Sequence, residues 1–226
     1  MLLNAALAAA LATAGCGVVD IDVDVRPGHA ASGKPGTPPP SGSGNMPKPP
    51  STEDSHDQLA ALTVAAAGSM RGYDRERFPH WSSQGENCTT REVVLERDGE
   101  DVAVDESCAP TAGRWYSGYD DRWFDEPREL DIDHVVPLAN AWRSGADEWT
   151  DAEREAFAND LERGQLIAVS AGSNRAKGDQ DPSEWRPTNT EVWCDYAGWW
   201  IDVKHHYQLT ITDAEKSALG EMLGTC

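Results

Sequence analysis

Residues 128–142, RELDIDHVVPLANAW, constrain the fold more than any other stretch of the chain. Leu130, Ile132, Val135, Val136 and Leu138 carry the apolar content of a buried strand, and Pro137, which has no N–H to give a ladder, ends it. Alternation along a strand puts Leu130 and Ile132 on one face and Asp131 and Asp133 on the other. A chain that buries the apolar face must present two carboxylates on the opposite one, with the imidazole of His134 at the strand end.

The flanking patterns read as an α+β domain. QLIAV, residues 165–169, is a second short strand, and SAGSNRAKG follows at once as a helix with Ser170 at its N-cap and Gly178 at its C-cap. Thr150 with Glu153, and Thr212 with Glu215, are capping-box pairs that open two further helices. TEVWCDYAGWWIDVKHHY predicts a long helix, with Trp193, Trp199 and Trp200 in its packed stripe and His205 and His206 at its C-terminal end, where cations suit the dipole. NCTTREVVLERDG reads as a strand turning at Asp98-Gly99, with VAVDESC as its hairpin partner. DQLAALTVAAA, with Leu59, Leu62 and Val64, reads as an amphipathic helix opening the folded region near Asp57.

Ahead of that point the composition changes. MLLNAALAAALATAGC is apolar, too short to span a bilayer, and ends in small residues; it reads as an export signal over residues 1–15. TAGC resembles a bacterial lipobox, which would make Cys16 a lipidated mature N-terminus, with Thr13 where Leu is usual. Residues 16–56, including GKPGTPPPSGSGNMPKPP, lack the large apolar residues needed to offset ordering entropy and read as a disordered tether. The folded domain is therefore expected at residues 57–226, exported and held at the cell surface or released.

Charge limits the partners. The chain has 39 acids against 19 bases, a net charge of −20. The first 56 residues hold five acids and three bases, so 34 acids and 16 bases belong to the remainder. That balance argues against a broad non-specific groove for nucleic acid, because such grooves are built from many Lys and Arg contacts. Beyond Cys16 there are four cysteines, Cys88, Cys108, Cys194 and Cys226, with no CxxC zinc pattern. In an exported chain they predict two disulfides. Of roughly three possible pairings, the sequence-local one, Cys88–Cys108 with Cys194–Cys226, is expected.

The chemistry lies in the strand–strand–helix succession. Asp133 is a hard oxygen ligand suited to magnesium, His134 is a base near neutral pH, and Asn174 offers a neutral oxygen. Lys177 lies three residues on, on the same helix face as Asn174. Taken alone, an Asp-His pair at a strand end is equally consistent with a purely hydrogen-bonding role. DIDHVVPL followed by SNRAKGD resembles the ββα-metal finger of HNH endonucleases. YDRERFPHW, CTTREVVLERDG, FANDL, QLIAV, NRAKGDQDPSEWRP and the cysteine-bearing tail resemble the exported subgroup related to the C-terminal nuclease domain of GmrSD-type restriction systems.

That resemblance implies a ββα-metal finger embedded in a mainly helical domain with a small β-hairpin. It implies an endonuclease that hydrolyses phosphodiester bonds in DNA, with RNA as a further substrate, leaving 5′-phosphate ends. His134 would be the general base, and Asp133 and Asn174 would hold one divalent cation, Mg2+. Arg91 and Lys177 would bind substrate phosphate, and Asp131 and Gln165 would support the site from behind. Gln165 stands where the family usually has Asn. The alternative is a catalytically silent, surface-binding lipoprotein that keeps the nuclease fold. Its only membrane contact would be the lipid anchor.

Overall fold

The computed structural model describes residues 46–226. The signal-like segment, Cys16 and most of the expected tether lie outside the described residues. Seven helices are present among them: α1 (Thr52–Ala61), α2 (Thr90–Asp98), α3 (Leu138–Arg143), α4 (Asp151–Ala158), α5 (Ala171–Lys177), α6 (Trp193–His206) and α7 (Asp213–Leu223). The strands are β1 (Ser83–Gly85), β2 (Cys88–Thr89), β3 (Gly99–Val104), β4 (Pro110–Ser117), β5 (Arg122–Phe124), β6 (Leu130–His134) and β7 (Leu166–Ser170). They form three small antiparallel sheets, β1-β2, β3-β4-β5 and β6-β7. The fold is α+β, and β6, β7 and α5 follow one another as a ββα unit.

The β6-β7 ribbon separates two apolar clusters. Leu130, Ile132, Leu166 and Ala168 face Val94 and Leu95 of α2, Trp115 of β4 and Phe124. Ile167 and Val169, on the other face, join the larger core built from α3, α4, α6 and α7. A two-stranded ribbon has two open edges, whose backbone groups need partners. Side chains supply them along β7: the Ala168 N–H donates to Asp98 Oδ2 at 2.8 Å and the Ser170 N–H to Ser117 Oγ at 3.0 Å. Arg97 Nη2 donates to the Leu166 carbonyl at 2.5 Å.

That arrangement explains one correction. Residues 90–98 are a helix, not the strand expected of NCTTREVVLERDG. The Thr89 N–H donates to the Glu92 carboxylate at 3.0 Å, a capping box like those at Thr150 and Thr212. Thr90, Val94, Leu95 and Asp98 are then buried along one side. Asp98 and Gly99 do not form a hairpin turn. The hairpin is β3-β4, closed by residues 105–109, where Asp105 accepts from the Ser107 and Ala109 N–H groups.

The N-terminal boundary also differs. Helix α1 starts at Thr52, with Ser51 as N-cap, and ends before Val64, which is exposed and bridges to Ile211. The chain is already packed before the helix. Trp199 Nε1 donates to the Pro47 carbonyl at 2.8 Å, and a Cβ on Gly198 would come within 2.8 Å of Pro49. The proline-rich stretch covers the tryptophan face of α6. The packed part of the chain therefore includes residues 47–56, which were expected to lie outside it. Disulfides join Cys88 to Cys108 and Cys194 to Cys226. The first ties β2 to the β3-β4 turn, and the second ties the start of α6 to the residues after α7. Among the described residues, no helix is long and apolar enough to cross a membrane.

Candidate active site

In the β6-β7 register Asp131 lies opposite Val169 and Asp133 opposite Ile167, so the two aspartates share a face with core residues. That face is covered, and only 3% of Asp133 is exposed. Its Oδ1 accepts from Lys177 Nζ at 2.8 Å, and its Oδ2 from the Tyr119 hydroxyl at 2.6 Å. Lys177 also donates to the His134 carbonyl at 2.9 Å. Burial raises the Asp133 carboxyl above its usual range, against the pull of Lys177 and Tyr119, and the neighbouring Asp131 raises it further. Burial likewise lowers Lys177, against the attraction of Asp133.

The phosphate-binding role expected of Lys177 is thus corrected: its exposure is 0%, and it is the internal counter-ion of Asp133. Arg91 also falls elsewhere. It donates to the Leu130 carbonyl at 3.4 Å, at the start of β6, and is not among the residues lining the cleft described below. Gln165 pins the loop after β6. Its Oε1 accepts from the Val136 N–H at 3.0 Å and its Nε2 donates to the Val136 carbonyl at 2.9 Å.

His134 is 5% exposed, and its ring packs against Trp81 and His80. Nε2 lies 3.0 Å from the Ala158 carbonyl. A carbonyl only accepts, so Nε2 carries the proton and Nδ1 keeps its lone pair. Burial lowers the imidazole pKa to about 3; the Ala158 bond opposes this, and Arg75, His80 and Lys177 add to it. The His134 imidazole is therefore neutral throughout the neutral range. Trp81, which walls it, has φ +63°, a conformation rare for an aromatic residue.

Asp133, His134 and Asn174 line one cleft of about 270 Å3, together with Tyr73, Arg75 and Asp179. The Asn174 amide nitrogen donates to Asp131 Oδ2 at 3.2 Å, and its Oδ1 takes no hydrogen bond among the described residues. No group of three His, Cys, Asp or Glu side chains is placed to hold a metal among them. A cation here would rest on one carboxylate and one amide oxygen. That donor set fits magnesium, which prefers hard oxygens and keeps several waters. The Asp133 oxygens retain lone pairs beyond those given to Lys177 and Tyr119.

Tyr119, Tyr73, Arg75 and Trp81 were not singled out as site residues from the sequence. Tyr73, Arg75 and Trp81 stand in the YDRERFPHW segment, whose signal was present but carried no spacing rule linking it to β6. Tyr119 follows β4, and only the tertiary fold brings it to Asp133.

Residues 94–222, more than half of the chain, match the family described as GmrSD restriction endonucleases, C-terminal domain. A protein of Arthroderma benhamiae described as an uncharacterized secreted protein is 51% identical over 180 residues, covering 80% of this chain and 88% of the relative. No solved structure matches the chain. With its ββα unit and the cleft at the end of β6, the chain belongs to the GmrSD C-terminal domain family.

Proposed function

We propose that this protein is an exported, metal-dependent endonuclease that hydrolyses phosphodiester bonds in DNA, with RNA as a further substrate. The observation that carries the reading is His134. It is a neutral imidazole anchored through Nε2 to the Ala158 carbonyl, with Nδ1 bare, in the same cleft as Asp133 and Asn174. Family membership supports nuclease chemistry, and export is supported by the apolar start of the chain and by the description of its relative as secreted. The relative is fungal and lends nothing to a lipid anchor on Cys16 or to a bacterial source, so export alone is proposed.

In this mechanism His134 Nδ1 takes a proton from the attacking water as the new P–O bond forms. The Ala158 carbonyl fixes the tautomer and favours the imidazolium that results. Asp133 and Asn174 would hold Mg2+, which when bound neutralises charge on the phosphate and on the departing 3′ oxygen. Lys177 and Tyr119 hold the Asp133 carboxylate in place, and Gln165 fixes the loop that follows His134. The full chain should nick plasmid DNA with magnesium and not with EDTA, and His134→Ala should lower the rate about 10²–10⁴-fold. Full nicking by His134→Ala would refute the assignment. DNA binding without cleavage by the unmutated chain would favour the silent-binder alternative.

A further inference from the structure

The cleft needs a cation to meet a phosphodiester, and neither Lys177 nor Arg91 is there to serve. Among the described residues, Arg75 is the one Lys or Arg side chain that lines it. It opens a single turn, Arg75–Arg77, capped by Asp74, whose Oδ1 accepts from the Glu76 N–H at 3.0 Å. Asp179, the acid in the same cleft, is paired with Arg143 Nη1 at 2.7 Å. Two residues on, Arg77 lies over the Trp142 ring, and the exposed Arg114 and Arg122 lie over Trp123 and Phe124. Arg75 has none of these. Among the described residues its guanidinium makes no hydrogen bond, ion pair or aromatic stack. It is exposed, beside a neutral base, in a strongly acidic protein. It also lies outside the residues that match the family, in a segment supplied by the first part of the domain.

We infer that Arg75 binds the phosphodiester attacked by the water that His134 deprotonates, its planar fork meeting the two non-bridging oxygens. The inference rests on the nuclease reading of the cleft. A guanidinium suits this task because its donors match phosphate geometry in a way an ammonium does not. Having no structural partner to give up, Arg75 is free to take one from the substrate.

The test compares the full chain with Arg75→Ala, Arg75→Lys and, as a distant control, Arg122→Ala. The substrates are plasmid DNA and bis(4-nitrophenyl) phosphate, a diester with a single phosphate. Arg75→Ala should lower kcat/KM about 10- to 150-fold on both, the range for a lost hydrogen bond to a charged group. Arg75→Lys should recover part of the loss, Arg122→Ala should lose nothing, and all should melt with the unmutated chain. A loss on DNA alone would place Arg75 on a flanking phosphate and overturn the inference, as would no loss on either substrate. If the unmutated chain cleaves neither, the nuclease reading fails, and binding of a short labelled duplex still judges Arg75. Weaker binding by Arg75→Ala would keep it as a phosphate contact, whereas equal binding would overturn it.

Discussion

Lys177→Met separates a structural cation from a substrate-binding one. Methionine keeps most of the packed stem and removes only the ammonium. In the folded protein that ammonium makes two bonds, to Asp133 Oδ1 at 2.8 Å and to the His134 carbonyl at 2.9 Å, and none of it reaches solvent. Its loss leaves Asp133 buried with Tyr119 as its remaining partner. Breaking a buried ion pair from one side costs about 3–5 kcal/mol. At about 2–4 °C per kcal/mol for a domain of this size, the melting temperature should fall by about 6–20 °C. Adding Asp133→Asn removes the stranded carboxylate and should recover part of the loss, so the two substitutions should be far from additive. Thermal denaturation followed by circular dichroism measures both. A Lys177→Met protein that melts within about 2 °C of the unmutated chain but loses DNA affinity would refute the buried pairing and restore the surface role.

Two other outcomes follow from the same packing. All five tyrosines have raised pKa values, with burial the largest cause for each, and Tyr116 is pushed up to about 12. Unfolded tyrosines ionise near about 10, so above that pH the folded state binds more protons and stability should fall as pH rises; a phenolate absorbance step near about 10 in a protein that stays folded would contradict it. Removing residues 1–56 should melt the domain earlier than removing residues 1–45, because the shorter chain loses half of α1 and the Pro47 and Pro49 contacts with α6; equal melting temperatures would show those contacts to be dispensable.

Much of the candidate site was legible because strand alternation is strict. Once Leu130 and Ile132 are buried, Asp131 and Asp133 must share the other face. The order strand, strand, helix then brings Asn174 and Lys177 to the same ribbon. What alternation cannot tell is whether the second face is also covered. Tyr119, placed by the turn after β4, closes over Asp133 and turns an expected open ligand into a buried one. The same blindness misplaced Lys177, since a helix of seven residues gives its last turn no free choice of face. Helix α2 was legible locally, since Thr89 and Glu92 carry the same spacing that marks α4 and α7.

The distribution of charge ties these corrections to function. The protein is strongly acidic, so it repels a polyanion over most of its surface. Inside, three acids are paired with cations: Asp133 with Lys177, Glu215 with Lys204 at 2.6 Å, and Asp98 with Arg97 at 2.6 Å. Those cations stabilise the interior and offer nothing to a ligand. Under the proposed reading, the attraction for a nucleic acid centres on the cleft, where Arg75 has no partner among the described residues and Asp133 and Asn174 would offer oxygens to a divalent ion. Binding built on so few contacts releases few counterions, and added salt screens the surrounding repulsion along with the attraction.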